Sequence, residues 1–365
     1  MEISSQITNK RTSTNYYAKF CFLLFLILAI SSLGLLTVWA LGAGPGAGKK
    51  ESETSGGAKG KIFISMGTSS NVAVIDIKTN EVMNTLVSGK NPHGIAVTPD
   101  GRFLYTTSFG IKKKKSNGKP EDSPAFNVSV IDTEEMKVVK EIYVGGESHH
   151  ASITPDGTKV VVTISKKEGI AVINTKDNEV IAHIRTGAGA NSAVSSPDGK
   201  YVYVTNSYDD TLSIINLNSY KKMKDINLNA GPDHITIGPD GGLVYLTNSY
   251  SNQITVVDVN KHKIVKTINV GEVPHGIGIT PDGKKIYVAN LGDGTVSVLD
   301  AETYKLITSM NLGGEPQHIA VTADGRRLYV NDREKNRTYV IDPSTDKVIK
   351  TIYLWPQPHE IAVFQ

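Results

Sequence analysis

The chain has few of the groups that specialised chemistry requires, beginning with cysteine. Its 365 residues contain one cysteine, Cys21, which lies inside an apolar stretch near the N terminus. The rest of the chain therefore has no internal disulfide, thiol nucleophile, iron–sulfur ligand or Cys-x-x-Cys-His motif for haem attachment. It also shows no nucleophile–base–acid set, Walker loop or glycine-rich dinucleotide turn. We expect no catalytic residue and no cofactor-binding residue in this chain.

The chain beyond residue 60 also has no excess of positive or negative charge. The first 60 residues hold six Lys or Arg and three Glu, which leaves 33 basic and 33 acidic residues in 61–365. A nucleic-acid-binding domain normally carries a basic surface. The balance of charge in 61–365 predicts that the chain binds no nucleic acid.

One long apolar run is present, close to the N terminus. Phe20–Leu41 carries no charge over 22 residues and follows three basic residues. The run is long enough to span a bilayer, and small residues at its end also permit cleavage as a signal peptide. We interpret 1–41 as a signal or membrane anchor and the Gly-, Ser-, Glu- and Lys-rich stretch 42–60 as a flexible linker. The remainder is then exported to a periplasm-like compartment or the extracellular face.

A short phrase is repeated six times along the rest of the chain. Five copies read Pro-Asp-Gly and one reads Ala-Asp-Gly, with their aspartates at Asp100, Asp156, Asp198, Asp240, Asp282 and Asp324. The last four intervals are 42 residues and the first is 56, which indicates a 14-residue insertion between Phe109 and Phe126. Such a period with four strand-like runs is typical of a β-propeller. Each phrase predicts a tight turn, because Pro fixes φ, Asp bonds its own backbone and Gly accepts a positive φ.

The two ends of the repeat predict how the ring closes. Lys61–Ser65 matches the second strand of a repeat, whereas His359–Gln365 matches a first strand. Pairing of these two segments completes a seventh blade and covers strand edges that would otherwise invite association. We predict an all-β fold over 61–365, a single seven-bladed β-propeller with four antiparallel strands per blade, closed by the C-terminal strand.

Seven of the nine histidines occupy one place in the repeat, just before the innermost strand. They are His93, His149, His150, His234, His275, His318 and His359. Inner strands line the central channel of a propeller, so we expect a ring of imidazoles at one mouth, able to bind zinc or copper. The structural alternative is that each histidine bonds the backbone of a neighbouring blade. His234 and His318 come one residue later than His93 and His275, and a one-residue shift predicts opposite faces of the strand. Acidic residues lie nearby but are scattered in register: Glu147, Asp233, Glu315 and Glu360.

The insertion predicts a partner-binding feature on the same face as the histidines. It extends the loop between the second and third strands of blade 2 and carries Lys112, Lys113, Lys114 and Lys115. Loops enlarged on one face of a propeller usually contact a partner. Four lysines favour an acidic protein or a membrane surface. A loop that is merely solvated is the alternative.

Three phrases of the repeat carry a family resemblance. Tyr203-Val-Thr-Asn206, Tyr245-Leu-Thr-Asn248 and Tyr287-Val-Ala-Asn290 resemble the YVTN family of propellers. That family includes cell-surface proteins and subunits of redox enzymes, so the resemblance is more specific for fold than for function.

Within that family, the chain is similar to the propeller (beta) subunits of hydrazine synthase from anaerobic ammonium-oxidising bacteria. Those subunits are single propellers behind an apolar segment and lack haem motifs. The similarity implies a non-catalytic subunit that scaffolds a multi-subunit redox complex whose partner subunits carry c-type haem. It also implies synthesis of hydrazine from nitric oxide and ammonium, and a place in the anammoxosome with a possible membrane tether.

Two alternatives use the same features differently. A surface-layer or adhesion propeller would bind neighbouring proteins outside the cell. A metal-dependent enzyme would use the hub histidine ring to hold its ion.

Overall fold

A computed structural model describes residues 59–109, 127–165, 169–228 and 231–365. These residues form 28 strands in seven antiparallel sheets of four, so the predicted all-β, seven-bladed fold is confirmed. The predicted signal or anchor 1–41, the linker as far as residue 58, and Lys112–Lys115 lie outside the described residues. The described residues include no helix of the length and apolar character needed to cross a membrane.

The blades follow one another along the chain. Blade 1 contains β1 (Lys61–Met66), β2 (Asn71–Asp76) and β3 (Glu81–Val87). Blade 2 contains β4 (Pro92–Val97), β5 (Phe103–Ser108), β6 (Asn127–Asp132) and β7 (Lys137–Tyr143). Blade 3 contains β8 (Ser148–Ile153), β9 (Lys159–Ile164), β10 (Gly169–Asn174) and β11 (Glu179–Arg185). Blade 4 contains β12 (Ala190–Ser195), β13 (Tyr201–Asn206), β14 (Thr211–Asn216) and β15 (Lys221–Asn227).

The second half of the ring repeats the same order. Blade 5 contains β16 (Pro232–Ile237), β17 (Leu243–Asn248), β18 (Gln253–Asp258) and β19 (Lys263–Asn269). Blade 6 contains β20 (Pro274–Ile279), β21 (Lys285–Asn290), β22 (Thr295–Asp300) and β23 (Leu306–Asn311). Blade 7 contains β24 (Pro316–Val321), β25 (Leu328–Asp332), β26 (Arg337–Asp342) and β27 (Lys347–Tyr353). The last strand, β28 (Pro358–Phe364), belongs to blade 1.

The last strand closes the ring as predicted. β28 lies antiparallel to β1, with Phe63 opposite Ala362 and Ile64 opposite Ile361. The end of β28 also fills the place where blades 2 to 6 have a turn proline. The ring of Phe364 lies against the turn glycine Gly101, much as Pro99 lies against Gly157 in the next blade. Blade 1 therefore combines the last strand, β28, with the first three strands, β1 to β3.

The core lies between the blades. The two middle strands of each sheet are almost wholly buried, whereas the outer strand exposes most of its side chains. One typical cluster joins Tyr287 and Val298 of blade 6 to Val330 and Tyr339 of blade 7. Each buried aliphatic side chain contributes about 1.5–3 kcal/mol. Because every blade needs both neighbours to bury its faces, closure of the ring is essential to the core.

The repeated Asp-Gly phrase forms the tight turn that the sequence predicts. In blade 2, Asp100 accepts hydrogen bonds from the Thr98 hydroxyl (2.5 Å) and the Arg102 backbone N–H (3.0 Å). Gly101 has φ of 72°, which a side chain would strain. These aspartates therefore serve the turn and are not directed at a ligand.

Strand direction divides the propeller into two faces. Each inner strand runs from its histidine end to the Asp-Gly turn, and the second strand returns. Loops between the second and third strands, and between the fourth strand and the next blade, therefore lie at the histidine end. We call this end the histidine face and the opposite end the turn face.

Candidate functional site

Two consecutive positions at the start of each inner strand supply the side chains at the hub. The first position reads His93, His149, Asn191, Asp233, His275, Gln317 and His359 around the ring. The next reads Gly94, His150, Ser192, His234, Gly276, His318 and Glu360. The first position is asymmetric, because blades 4, 5 and 7 carry Asn, Asp and Gln where the others carry His.

The structure brings all seven histidines into one connected cluster. Ring centroids lie 4.2 Å apart for His93 and His149, 3.7 Å for His93 and His359, and 4.3 Å for His318 and His359. Three further rings form a triangle, with separations of 4.4 Å for His234 and His275, 4.6 Å for His234 and His318, and 4.9 Å for His275 and His318. His150 lies at 6.0 Å from His234. We call these seven residues the histidine cluster.

The expectation that a one-residue offset turns His234 and His318 away from His275 is wrong. Every inner strand has a register shift at these positions, as between Pro274 and Ile277 opposite β21. The shift is a β-bulge, in which two residues oppose one on the partner strand. Both bulged residues can therefore contribute to the same cluster.

A ring of side-chain hydrogen bonds, which we call the hydroxyl belt, holds this bulge in the same conformation in most blades. In blade 2, the Thr107 hydroxyl accepts the Gly94 N–H (2.7 Å) and donates to the carbonyl of His149 in blade 3 (2.6 Å). The same position supplies the bonding hydroxyl or amide in five other blades: Ser65, Thr163, Thr205, Thr247 and Asn331. Blade 6 has Ala289 there instead. The belt fixes the inner strands to one another around the channel.

Two histidines also make the inter-blade backbone contact expected as the structural alternative. His93 Nδ1 lies 3.2 Å from the carbonyl oxygen of His149, and His149 Nδ1 lies 3.2 Å from that of Asn191. These contacts connect blades 2, 3 and 4. Other histidines differ, because His234 Nε2, His318 Nε2 and His359 Nδ1 have no hydrogen-bond partner in the described structure. The cluster therefore has a bonded side and an unsatisfied side.

Asp233 lies on the unsatisfied side. Its carboxylate accepts hydrogen bonds from the Asn191 amide (2.7 Å) and the Ser249 hydroxyl (2.9 Å). Its Oδ2 is 3.9 Å from His275 Nε2. Asn191, which replaces histidine in blade 4, thus orients the carboxylate of blade 5.

Glu360 is a second carboxylate at the hub. Its Oε2 lies 3.4 Å from His318 Nδ1 and 3.9 Å from His150 Nε2. Burial alone would raise the pKa of this carboxyl, but attraction to the imidazoles of His318 and His150 lowers it to about 2. Glu360 therefore stays ionised at neutral pH.

Enclosure keeps most imidazoles of the cluster neutral at physiological pH. Burial lowers the pKa of His149 and of His275 to about 4. Burial, reinforced by neighbouring groups, lowers the pKa of His93, His234 and His359 well below the ordinary 6.5. A neutral imidazole keeps a lone pair on one ring nitrogen, which is the form that binds metals.

The described start of the insertion reaches the histidine cluster. The Phe109 ring lies 5.5 Å from His93 and 5.9 Å from His149. Phe109 directly precedes the segment that contains Lys112–Lys115, whose placement lies outside the described residues. Phe109, the last described residue before the insertion, therefore lies beside the histidine cluster.

Exposed aromatic residues form a feature that the sequence analysis missed. Among the described residues, six aromatic residues are between 37% and 80% exposed: Phe109, Tyr143, Tyr208, Tyr250, Tyr353 and Trp355. All six lie in loops of the histidine face or at the strand end that enters one. Tyr208 and Trp355 are the most open of them, at 76% and 80% exposed. The repeated phrase Asn-Ser-Tyr, which ends at Tyr208 and again at Tyr250, is the signal that could have indicated them.

Two segments of the chain match family models of propellers. Residues 62–229 match the model "Lactonase, 7-bladed beta-propeller", and residues 181–281 match the model "YNCE-like beta-propeller". The chain is a seven-bladed β-propeller with lactonase-like and YNCE-like segments. Together the two matches cover residues 62–281, which include the hub positions of blades 2 to 6.

Solved structures of several functions share this fold. Hydrazine synthase of Kuenenia stuttgartiensis is 20% identical, with a TM-score of 0.63 over 74% of this propeller chain and 88% of that chain. A 6-phosphogluconolactonase candidate from Bacteroides uniformis is 17% identical, with a TM-score of 0.69 over 83% of this chain and 99% of that chain. The dihydro-haem d1 dehydrogenase NirN is 15% identical, with a TM-score of 0.64 over 84% of this chain and 66% of that chain. Identities this low show the fold alone.

One curated relative matches part of the propeller. Antigen Lp49 of Leptospira interrogans is 28% identical over 117 residues. The match covers 32% of this chain and 25% of the antigen. The chain thus spans about a quarter of the length of that relative.

Proposed function

We propose that this chain is an exported, non-catalytic propeller subunit that scaffolds a multi-subunit redox complex. Its partner is a protein subunit carrying c-type haem, which binds the histidine face. The complex we favour is of the hydrazine synthase kind, forming hydrazine from nitric oxide and ammonium in the anammoxosome. The apolar stretch 20–41 serves export and, where it is retained, tethers the subunit to the membrane.

The distribution of exposed aromatic residues carries this proposal. All six that the structure describes lie on the histidine face, although the turn face has almost as many loops. Tyr and Trp are enriched at protein interfaces, where they supply large contact areas at low entropic cost. The insertion that follows Phe109 carries four lysines, which we expect to lie near the same face. The likeness to hydrazine synthase and NirN supports the choice of a redox complex over other assemblies.

Spectroscopy of the purified chain tests this proposal. The full-length chain, with a histidine-free tag after the exposed Gln365, should show no visible absorption band when it is produced alone. The same tagged chain from its native cells should carry a stoichiometric partner with a c-type haem spectrum. A visible cofactor in the isolated chain, or turnover without partners, would contradict a scaffold.

Loop variants locate the binding face within the same experiment. Replacing 110–124 by a loop of the length found in blade 5 should remove most of the haem that co-purifies. The fold should persist, because a surface insertion costs little to remove. Full retention of haem by a folded loop variant would argue against this part of the face.

A surface-layer or adhesion protein is the second candidate. The partial match to a protein named as an antigen favours it. In that case the tagged chain should be cleaved by protease added to intact cells, and its co-purifying partners should lack haem.

A further inference from the structure

Three imidazoles on the unsatisfied side of the cluster are arranged as a ligand set. One ring nitrogen of each of His234, His275 and His318 can be chosen so that all three lie within 4.8 Å of one another. Ligand nitrogens around a tetrahedral Zn²⁺ lie ~3.3 Å apart at Zn–N of ~2.05 Å, so an inward shift of less than ~1 Å per imidazole is needed. Side-chain rotation supplies such a shift without moving the strands.

Two nitrogens of this triad lack the partners that buried polar atoms usually have. His234 Nε2 and His318 Nε2 make no hydrogen bond within the described structure. His318 is only 1% exposed and His234 only 6%. A buried polar atom without a partner costs about 1–3 kcal/mol. Two imidazoles that bear this cost side by side, next to His275, indicate a site that a bound ion would satisfy.

The charge around the triad suits a cation. The carboxylates of Asp233 and Glu360 approach His275 and His318 at 3.9 Å and 3.4 Å. Among the described residues, neither carboxylate has a lysine or arginine nitrogen within 4.0 Å. A divalent ion bound between the imidazoles would balance the two negative charges. Carboxylates beside metal-binding histidines also orient their rings.

We propose that His234, His275 and His318 bind one first-row transition-metal ion, zinc or copper, at the hub of the propeller. Imidazole is a preferred ligand of both metals, and a three-histidine set leaves a further coordination position open. This site is independent of the proposed binding of a haem-carrying partner, because it needs only residues of this chain.

Metal binding by the isolated chain tests the site. The full-length chain with a histidine-free tag is stripped with chelator, then dialysed against Zn²⁺ or Cu²⁺ and metal-free buffer. The wild-type chain should retain one ion, and Co²⁺ in its place should give the intense visible bands of a low-coordinate site. Cu²⁺ should show nitrogen hyperfine couplings in its paramagnetic resonance spectrum. Retention of neither Zn²⁺ nor Cu²⁺ by the folded wild-type chain would overturn the proposal.

Substitutions assign the ligands. His234→Gln and His275→Gln should each weaken binding by more than the ~10–100-fold typical of outer-sphere changes. His183→Gln is the matched control, because His183 is exposed on β11 and outside the cluster. His93→Gln, on the bonded side, should also retain the ion. If His234→Gln and His275→Gln bind as tightly as the control, or if only His93→Gln loses the ion, the assignment is wrong. Where a variant fails to fold, the Co²⁺ and Cu²⁺ spectra of the wild-type chain still decide whether imidazoles bind a metal.

Discussion

The hydroxyl of Tyr329 donates a hydrogen bond to Oδ1 of Asn80 over 2.7 Å, although 249 residues separate the two. Tyr329 lies on β25 of blade 7, and Asn80 lies in the turn before β3 of blade 1. Tyr105 and Tyr287 make the same kind of bond to the turn of the next blade, at 2.6 Å each. The tyrosine of the repeat thus connects neighbouring blades, and the Tyr329 bond does so across the closure of the ring.

Removing the closing bond should lower stability. Tyr329→Phe leaves the buried oxygen of Asn80 unpaired, which should reduce the free energy of unfolding by about 1–3 kcal/mol. Tyr203→Phe is the matched control, because the Tyr203 hydroxyl makes no hydrogen bond to another described residue. Urea unfolding of both variants gives the comparison. Equal losses would show that the bond to Asn80 has no specific role.

Removing the last strand should have a larger effect. Deletion of His359–Gln365 leaves β1 as an unpaired edge and removes the inner strand of blade 1. Exposed strand edges promote association. The truncated chain should therefore form aggregates or unfold at a lower temperature, as seen by size-exclusion chromatography and thermal unfolding. A monomer with an unchanged melting temperature would contradict closure through β28.

Completing the hydroxyl belt should stabilise the fold. Blades 2 and 6 both begin their inner strands with Pro-His-Gly, but blade 6 has Ala289 where blade 2 has Thr107. Ala289→Thr should restore the missing inter-blade bonds and add about 0.5–1.5 kcal/mol to the free energy of unfolding. Ala289→Val, which has the same shape without the hydroxyl, should give no such gain. A stabilisation equal for Thr and Val would assign the effect to packing.

Much of this architecture could be predicted from local patterns. The Asp-Gly phrase specifies a turn through local backbone chemistry alone. Because each blade repeats that turn, the spacing of the phrase predicted the number of blades. The incomplete repeats at Lys61 and His359 predicted the strand pair that closes the ring, because each supplies a strand that the other lacks. The position of the histidines in the repeat also predicted that they meet at the hub.

The arrangement within the hub could not be predicted in the same way. The bulge that brings His234 beside His275 depends on the hydroxyl of a different strand and on the next blade, as at Thr247. The pairing of Asn191 with Asp233 joins residues 42 positions apart. The exposure of Tyr208 and Trp355 depends on where loops of separate blades end. Each of these is a tertiary relationship with no local pattern.

Stability should fall as the pH decreases from about 6.5 toward 4. Unfolded histidines take up protons near pH 6.5, whereas folded His149 and His275 do so only near pH 4. The unfolded state therefore binds more protons in this window, and each such histidine changes the free energy of unfolding by up to about 1.4 kcal/mol per pH unit. Urea unfolding between pH 7.5 and 4.5, in buffer with chelator, measures the slope.

Histidine variants identify the source of that pH dependence. His149→Gln should reduce proton uptake on unfolding by about one, because it removes one group whose pKa is lowered by folding. His183→Gln, on the exposed outer strand β11, is the control variant outside the histidine cluster. A slope that is the same in His149→Gln and the wild-type chain would show that the hub does not cause it.

Affinity for the haem-carrying partner is the most direct test of the histidine face as the binding face. The double variant Tyr208→Ala with Trp355→Ala removes its two most exposed aromatic side chains. The control, Leu306→Ala with Ile307→Ala, removes two exposed apolar side chains from the outer strand of blade 6. Interface hot spots contribute at least about 2 kcal/mol, so the first variant should bind the partner at least about 30-fold more weakly. The control should bind as tightly as the wild-type chain. Equal affinities of the two double variants, with both folded, would contradict the account.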